Sequence, residues 1–135
     1  PEMSVEEIKA INLPEKQNTI LWLWTTHKFL PKAFEILEHW GYEYKATLVW
    51  NKKKMGMGHW LRMKCEFCLL GIKGNPKWFN TKKIDIIEEA RRQHSRKPDA
   101  FYKLVDEICV GTKIDYFSRE KREGWFSYGN ETDKF

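Results

Sequence analysis

Gly58-His59-Trp60-Leu61, Glu66 and Gly71-Ile72-Lys73-Gly74-Asn75-Pro76 are the residues of this chain whose types and spacing could act together on a ligand. They combine glycine loops with aromatic, acidic and basic groups, a mixture suited to a flat, hydrogen-bonding partner such as a nucleobase. Trp60 offers a stacking face, Glu66 can accept from an exocyclic amine, and lysines on either side could hold phosphates. Next to them, Lys52-Lys53-Lys54 runs into Met55-Gly56-Met57-Gly58, which reads as a flexible basic loop able to track a phosphate backbone; the plainer alternative is a solvated charged face. Arg62 lies in the same segment. His59 suits a hinge, a phosphate contact or an ordinary surface histidine equally. Arg91, Arg92 and Arg96 flank Lys97 and could widen the same groove, or simply decorate a helix end.

These groups have to be placed by a modest scaffold. A chain of 135 residues is one domain's worth and can bury a real core. Lys and Arg outnumber Asp and Glu by 24 to 19, for a formal charge of +5, which favours a polyanionic partner without proving one. There is no secretory h-region and no apolar run of membrane length, so the expected setting is intracellular, with no membrane partner. The odd number of cysteines (Cys65, Cys68 and Cys109) fits a reduced compartment. Cys65-x-x-Cys68 has the spacing of a zinc or redox pair, but it sits in a strand-like run and lacks a second pair to complete a tetrahedral site. The expectation is therefore buried strand and no metal.

The elements alternate. Ser4-Val5-Glu6-Glu7 reads as a capping box opening a helix from Val5 to Ala10. Thr19 to Thr25 is apolar on both faces, as in a buried central strand. A helical stripe of Ala33, Phe34, Leu37 and Trp40 predicts a helix over 31–40 that Gly41 stops. Strands are expected over 42–50 and 66–73, pairing as neighbours, and a loop over 75–92 anchored by Ile84, Ile86 and Ile87. Phe101, Leu104, Val105 and Ile108 share a face of a second helix, opened by Lys97-Pro98-Asp99 and closed by Gly111; strands follow over 112–117 and 125–129. Trp22, Trp24, Trp40 and Trp50 are expected in the core, Trp60 in a substrate groove. The pattern predicts a mostly parallel α/β sheet.

An ordered set of short motifs runs nearly end to end: Met3-Ser4-x-x-Glu7-Ile8, Leu21-Trp22-Leu23-Trp24-Thr25, Leu37-x-x-Trp40-Gly41-Tyr42-Glu43, Val49-Trp50-x-Lys52, Gly58-His59-Trp60-Leu61, Gly71-x-Lys73-Gly74-Asn75-Pro76, His94-Ser95-x-Lys97-Pro98-Asp99 and Trp125-x-x-x-Gly129-Asn130. Together they resemble the MT-A70 family, the adenine-N6 methyltransferases that use S-adenosylmethionine on RNA or DNA. The resemblance implies a single methyltransferase domain over 1–135. Its fold would be Rossmann-like and S-adenosylmethionine-dependent, with a permuted motif order. The family's Asp-Pro-Pro-Trp tetrapeptide, which polarises and orients the target amine, is absent from this sequence. The expectation is an N-terminally incomplete chain, the alternative a catalytically inactive subunit that binds nucleic acid and supports an active partner. A third expectation is that the edge beside Ile20 to Trp24 is exposed and drives self-association.

Carried over residue by residue, the resemblance makes Lys97 and Glu66 the catalytic pair, Glu66 contacting the base and Lys97 the base or the cofactor carboxylate. Lys97, Arg119, Asn130 and Glu131 would bind S-adenosyl-L-methionine, the last two at its ribose. Lys52, Lys53, Lys54, His59, Trp60, Arg62 and Arg96 would bind DNA or RNA, whose target base must leave its stack. The family pattern departs after Arg119, where Glu120, Lys121 and Arg122 replace the usual His and Asn; Lys121 and Arg122 are left as phosphate or cofactor contacts. A homodimer, or a heterodimer with a related methyltransferase-like chain, fits the resemblance. So does a cytoplasmic setting in a bacterium or phage, or a nuclear one in a eukaryote.

Overall fold

The computed structural model describes residues 5–10, 18–53, 56, 58, 60–79, 82–90, 97–109, 113–116 and 125–128. The chain divides into two compact units, one of 1–77 with 84–89, the other of 78–83 with 90–135.

In the first unit the elements are α1 (Val5–Lys9), β1 (Thr19–Thr25), α2 (Leu30–His39), β2 (Glu43–Asn51), β3 (Cys65–Lys73) and β4 (Ile86–Glu88). The four strands form one sheet in the order β1-β3-β2-β4. The sheet is mixed, which corrects the expectation of a mostly parallel one. β3 runs antiparallel to both β1 and β2, while β2 and β4 are parallel. The reason lies in the connections. Among the described residues of 52–64, between β2 and β3, there is no helix, and the chain returns antiparallel, whereas α2 carries the chain from β1 back to a strand of the same direction. β3 slots between those two.

Strand β1 matches its expected bounds, but among the described residues it pairs along one side only and every residue in it is half-buried. It is an end strand of the described sheet, not a central one.

Side chains alternate along β3, so Glu66, Cys68, Leu70 and Ile72 share one face and Cys65, Phe67, Leu69 and Gly71 the other. Helix α2 packs on the Gly71 face. A Cβ on Gly71 would lie 2.7 Å from Leu37 Cδ1 and 2.9 Å from Tyr42 Cβ, so glycine is what lets the helix approach. Phe34 meets Tyr44 edge-on at 5.0 Å, and Leu37 and Leu69 are fully buried. Gly41, at φ 85°, ends α2 as expected. The Tyr42 amide donates to Leu37 O at 3.1 Å and the Gly41 amide to Glu38 O at 2.9 Å, the two bonds of a Schellman turn. Ser4 of the expected capping box lies outside the described residues.

The segment expected to be loop over 75–92 contains β4. A three-residue strand is too short to show a period, and only Ile87 is buried; Ile84 is 69% exposed and Ile86 43%. Cys65 and Cys68, three apart on one strand, point to opposite faces and cannot chelate together; neither is in a disulfide, and Cys68 is fully buried.

The second unit holds α3 (Asp99–Ile108) and a parallel pair, β5 (Lys113–Tyr116) with β6 (Trp125–Tyr128). Phe101, Tyr102, Val105 and Ile108 are the buried side chains of α3, with Leu104 half-buried. Pro98 occupies the N-cap and is itself buried. The Cys109 amide donates to Val105 O at 2.7 Å, the Phe79 amide to Ile108 O at 2.9 Å, and Lys83 pairs with Glu107. Gly111, expected to close α3, lies outside the described residues. No described helix is long and apolar enough to cross a membrane.

Candidate active site at the carboxyl end of the sheet

The carboxyl ends of β1, β2 and β4 gather beside the start of β3. Thr25 pairs with Phe67, Asn51 with Cys65, and Asn51 with Glu88. In open α/β sheets this is the end at which ligands bind, because loops leaving the strands there can converge.

At this end Trp50 and Glu66 stand opposite each other on one face. Trp50 is 1% exposed, meets Trp24 edge-on at 6.0 Å, and its Nε1 donates to Glu89 O at 2.8 Å. Lys52 Nζ lies 3.0 Å from Glu66 Oε2, with only 18% of the lysine and 12% of the glutamate side chain exposed. The same ammonium sits 5.8 Å from the Trp50 ring centroid. An aromatic wall, a carboxylate and a cation are thus assembled by the register of one hairpin.

Beyond the strands the hairpin continues. The Lys52 amide donates to Lys64 O at 2.9 Å and the Gly56 amide to Met63 O at 2.7 Å. Lys53 takes φ 65°, with its amide bonded to Asn51 Oδ1 at 2.9 Å, so an asparagine side chain braces a left-handed turn that a lysine seldom adopts. At the tip, the Arg62 guanidinium donates to Gly58 O at 2.9 Å. A Cβ on Gly58 would lie 2.1 Å from Leu61 O, and one on Gly56 2.6 Å from Met63 O. These glycines serve close backbone approach, and the tip carries Trp60 94% and Leu61 72% exposed. Lys53, Arg62 and Lys64 are exposed around it.

The structure splits the sequence constellation in two. Gly71 to Pro76 lies at the opposite end of β3 from Glu66, about 17 Å away at Gly71 and about 23 Å at Lys73 at the usual strand rise. There Lys73 Nζ sits 4.6 Å from the Tyr42 ring centroid, Tyr42 and Thr19 share a hydroxyl hydrogen bond of 2.9 Å, and the Asn75 amide donates to Asn18 Oδ1 at 2.8 Å. This end braces the sheet; Lys73 does not share a phosphate site with Trp60.

Lys97 stands in the second unit, half-buried, immediately before Pro98 and α3. Lys54, His59, Arg96, Arg119, Lys121, Arg122, Asn130 and Glu131 lie outside the described residues. Sequence reasoning passed over two groups at the carboxyl end. One is the Trp24 and Trp50 pair, taken only as core. The other is the turn after β1, where His27 meets Phe67 edge-on at 4.7 Å and Lys28 lies 5.4 Å from the Phe29 ring centroid. The position of Trp24 and Trp50 in the last two residues of their strands, and of His27 and Lys28 directly after β1, was the signal that could have found them.

Residues 1–131 match the family model described as MT-A70. The chain is 34% identical to the human N(6)-adenosine-methyltransferase catalytic subunit METTL3, over 95% of its own length and 24% of the relative's. It is 33% identical to the N(6)-adenosine-methyltransferase MT-A70-like protein of Arabidopsis thaliana, over 96% of its own length and 21% of the relative's. The Type II methyltransferase M.MunI of a Mycoplasma species is 29% identical, with 97% of this chain and 59% of that protein covered. The chain therefore spans about a quarter or less of the eukaryotic relatives and over half of the Mycoplasma one. With the family model covering nearly every residue, the chain belongs to the MT-A70 family.

Proposed function

We propose that the protein carrying this chain transfers a methyl group from S-adenosyl-L-methionine to the N6 amine of adenine in a nucleic acid. The single observation that carries this reading is the placement of Glu66. The carboxylate sits at the ligand-binding end of the sheet, beside the Trp24 and Trp50 wall and at the base of a basic hairpin with an exposed tryptophan. A carboxylate is an acceptor suited to an exocyclic amine, and an exposed indole flanked by cations is a stacking platform for an unpaired base. The names of the relatives point to the same chemistry.

Adenine N6 is a poor nucleophile because its lone pair is delocalised into the ring, so the chain's task is orientation. Glu66 meets the amine and Lys97 supplies a cation at the base or at the donor's carboxylate. Trp60 stacks on nucleic acid, while Lys53, Lys54, His59, Arg62 and Arg96 follow its backbone. Arg119, Asn130 and Glu131, with Lys97, form a donor set of the right chemistry for S-adenosylmethionine: cations for its carboxylate, an amide and an acid for its ribose hydroxyls. When bound, that cofactor supplies an electrophilic methyl group. The fold in this reading is Rossmann-like with a permuted motif order, and residues 1–135 act as one methyltransferase domain inside an intracellular protein, paired with itself or a related chain. The test is transfer of labelled methyl from S-adenosylmethionine to an adenine-containing oligonucleotide by the full protein, with Lys97→Ala expected to abolish the signal. Unchanged transfer would remove Lys97 from the mechanism.

A further inference from the structure

In a run of three lysines, Lys52 looks like one more solvent-facing cation. The structure separates it from its neighbour. Lys53 is exposed and takes the left-handed turn, while Lys52 keeps to the ladder through its amide bond to Lys64 O and directs its ammonium back over Trp50 to Glu66 Oε2. Both charges are largely removed from water, at 18% and 12% side-chain exposure. In such a pair each charge offsets part of the cost of taking the other out of water.

We infer that Lys52 is a positioning residue for Glu66 and not a phosphate contact: its ammonium holds the carboxylate ionised and oriented, and thereby sets which base the site accepts. The inference rests on the reading of Glu66 as the group that meets the base. An ionised carboxylate can only accept, so it welcomes the 6-amino group of adenine and repels the 6-oxo group of hypoxanthine, which presents an acceptor in the same place. A protonated or swung-away carboxyl would lose that distinction. Lys52 acts on base choice without touching the base, and the phosphate backbone is left to the outward cations Lys53 and Arg62.

The experiment uses the full protein and two single-stranded oligonucleotides, identical except for adenine or hypoxanthine at the target position. Binding is followed by fluorescence anisotropy across salt concentrations without the methyl donor, and kcat and KM by labelled methyl transfer to the adenine strand. Lys52→Met is expected to lower kcat by about tenfold to a hundredfold, the scale of a misplaced group at a reacting centre, and to narrow the preference for adenine, with the salt slope unchanged. Lys52→Arg should restore most of both. Glu66→Gln should resemble Lys52→Met, and the double variant should be no worse than either. Should Lys52→Met not fold, Lys52→Gln, which can still donate to Oε2 without the charge, carries the same readouts.

Equal weakening of both strands by Lys52→Met, with the salt slope reduced by about 0.7, is the signature of one lost single-strand phosphate contact and overturns the inference. A damaging Glu66→Gln beside a neutral Lys52→Met overturns it alone. A neutral Glu66→Gln overturns it together with the reading of Glu66.

Discussion

Trp50 on β2 and Glu66 on β3 are directly paired across an antiparallel ladder, so an indole and a carboxylate share one sheet face at the end where the chain reverses. Because side chains alternate strictly along a strand, a slip of one residue in this pairing would put the indole and the carboxylate on opposite faces. The hairpin's register is thus a functional quantity, and the features that secure it are open to test.

Gly71 is the point where α2 touches β3. Gly71→Ala would place a Cβ 2.7 Å from Leu37 Cδ1, and both neighbours are held in a packed layer. Overpacking of this kind costs about 1–3 kcal/mol, to be read as a lowered urea midpoint with an unchanged m-value. A wild-type midpoint would mean that α2 shifts freely on the sheet.

At the end of α2, Gly41→Ala should cost about 1–2 kcal/mol, since φ 85° is available to glycine without penalty and not to alanine. Gly41→Asn should recover part of that loss, because asparagine tolerates the left-handed region better. Equal midpoints for the two variants would contradict the Schellman assignment.

Trp60 separates stability from binding. At 94% exposure, Trp60→Ala should leave the unfolding midpoint within about 0.5 kcal/mol of wild type. Its loss should weaken single-stranded oligonucleotide binding by about 1–3 kcal/mol, the usual worth of one base stacked on an aromatic ring. Anisotropy titration reads this directly, and unchanged affinity would leave Trp60 without a role in nucleic-acid binding.

The same tip can be perturbed without touching any ligand-facing group. A Cβ at Gly58 would lie 2.1 Å from the Leu61 carbonyl, a backbone atom that cannot swing aside alone. Gly58→Ala should therefore reshape the turn and reproduce the binding loss of Trp60→Ala, while the sheet's unfolding transition stays in place. Wild-type affinity in Gly58→Ala would show that the tip's geometry does not matter.

Trp50→Phe removes the Nε1 donor that meets Glu89 O in a nearly fully buried setting. Losing that hydrogen bond should cost about 1 kcal/mol of stability, measured by denaturant unfolding; a wild-type midpoint would mean the bond contributes nothing.

Much of the scaffold was legible in the sequence because its signals are local. The dense run from Thr19 to Thr25, the stripe from Ala33 to Trp40 with its glycine stop, and the proline before Asp99 each name an element and an end. The short strand β4 was not legible, since three residues carry no period and only Ile87 is buried. Nor was the direction of β3, since it rests on a connection in which no helix stands among the described residues between Lys52 and Lys64. The site suffered from the same gap. Glu66 and Gly71 to Pro76 read as one constellation along the sequence, yet a strand keeps them at opposite ends. Lys52 and Glu66, far apart along the chain, are brought together by a register that no local pattern reveals.

The most direct test of the central claim is to incubate the full protein with methyl-labelled S-adenosylmethionine and adenine-containing DNA and RNA oligonucleotides, digest the products, and identify the methylated nucleoside by mass spectrometry. N6-methyladenine is expected in at least one of the two, together with its loss in Glu66→Gln. Tight oligonucleotide binding with no methylated adenine in either would contradict the claim and assign the protein to a silent, nucleic-acid-binding role.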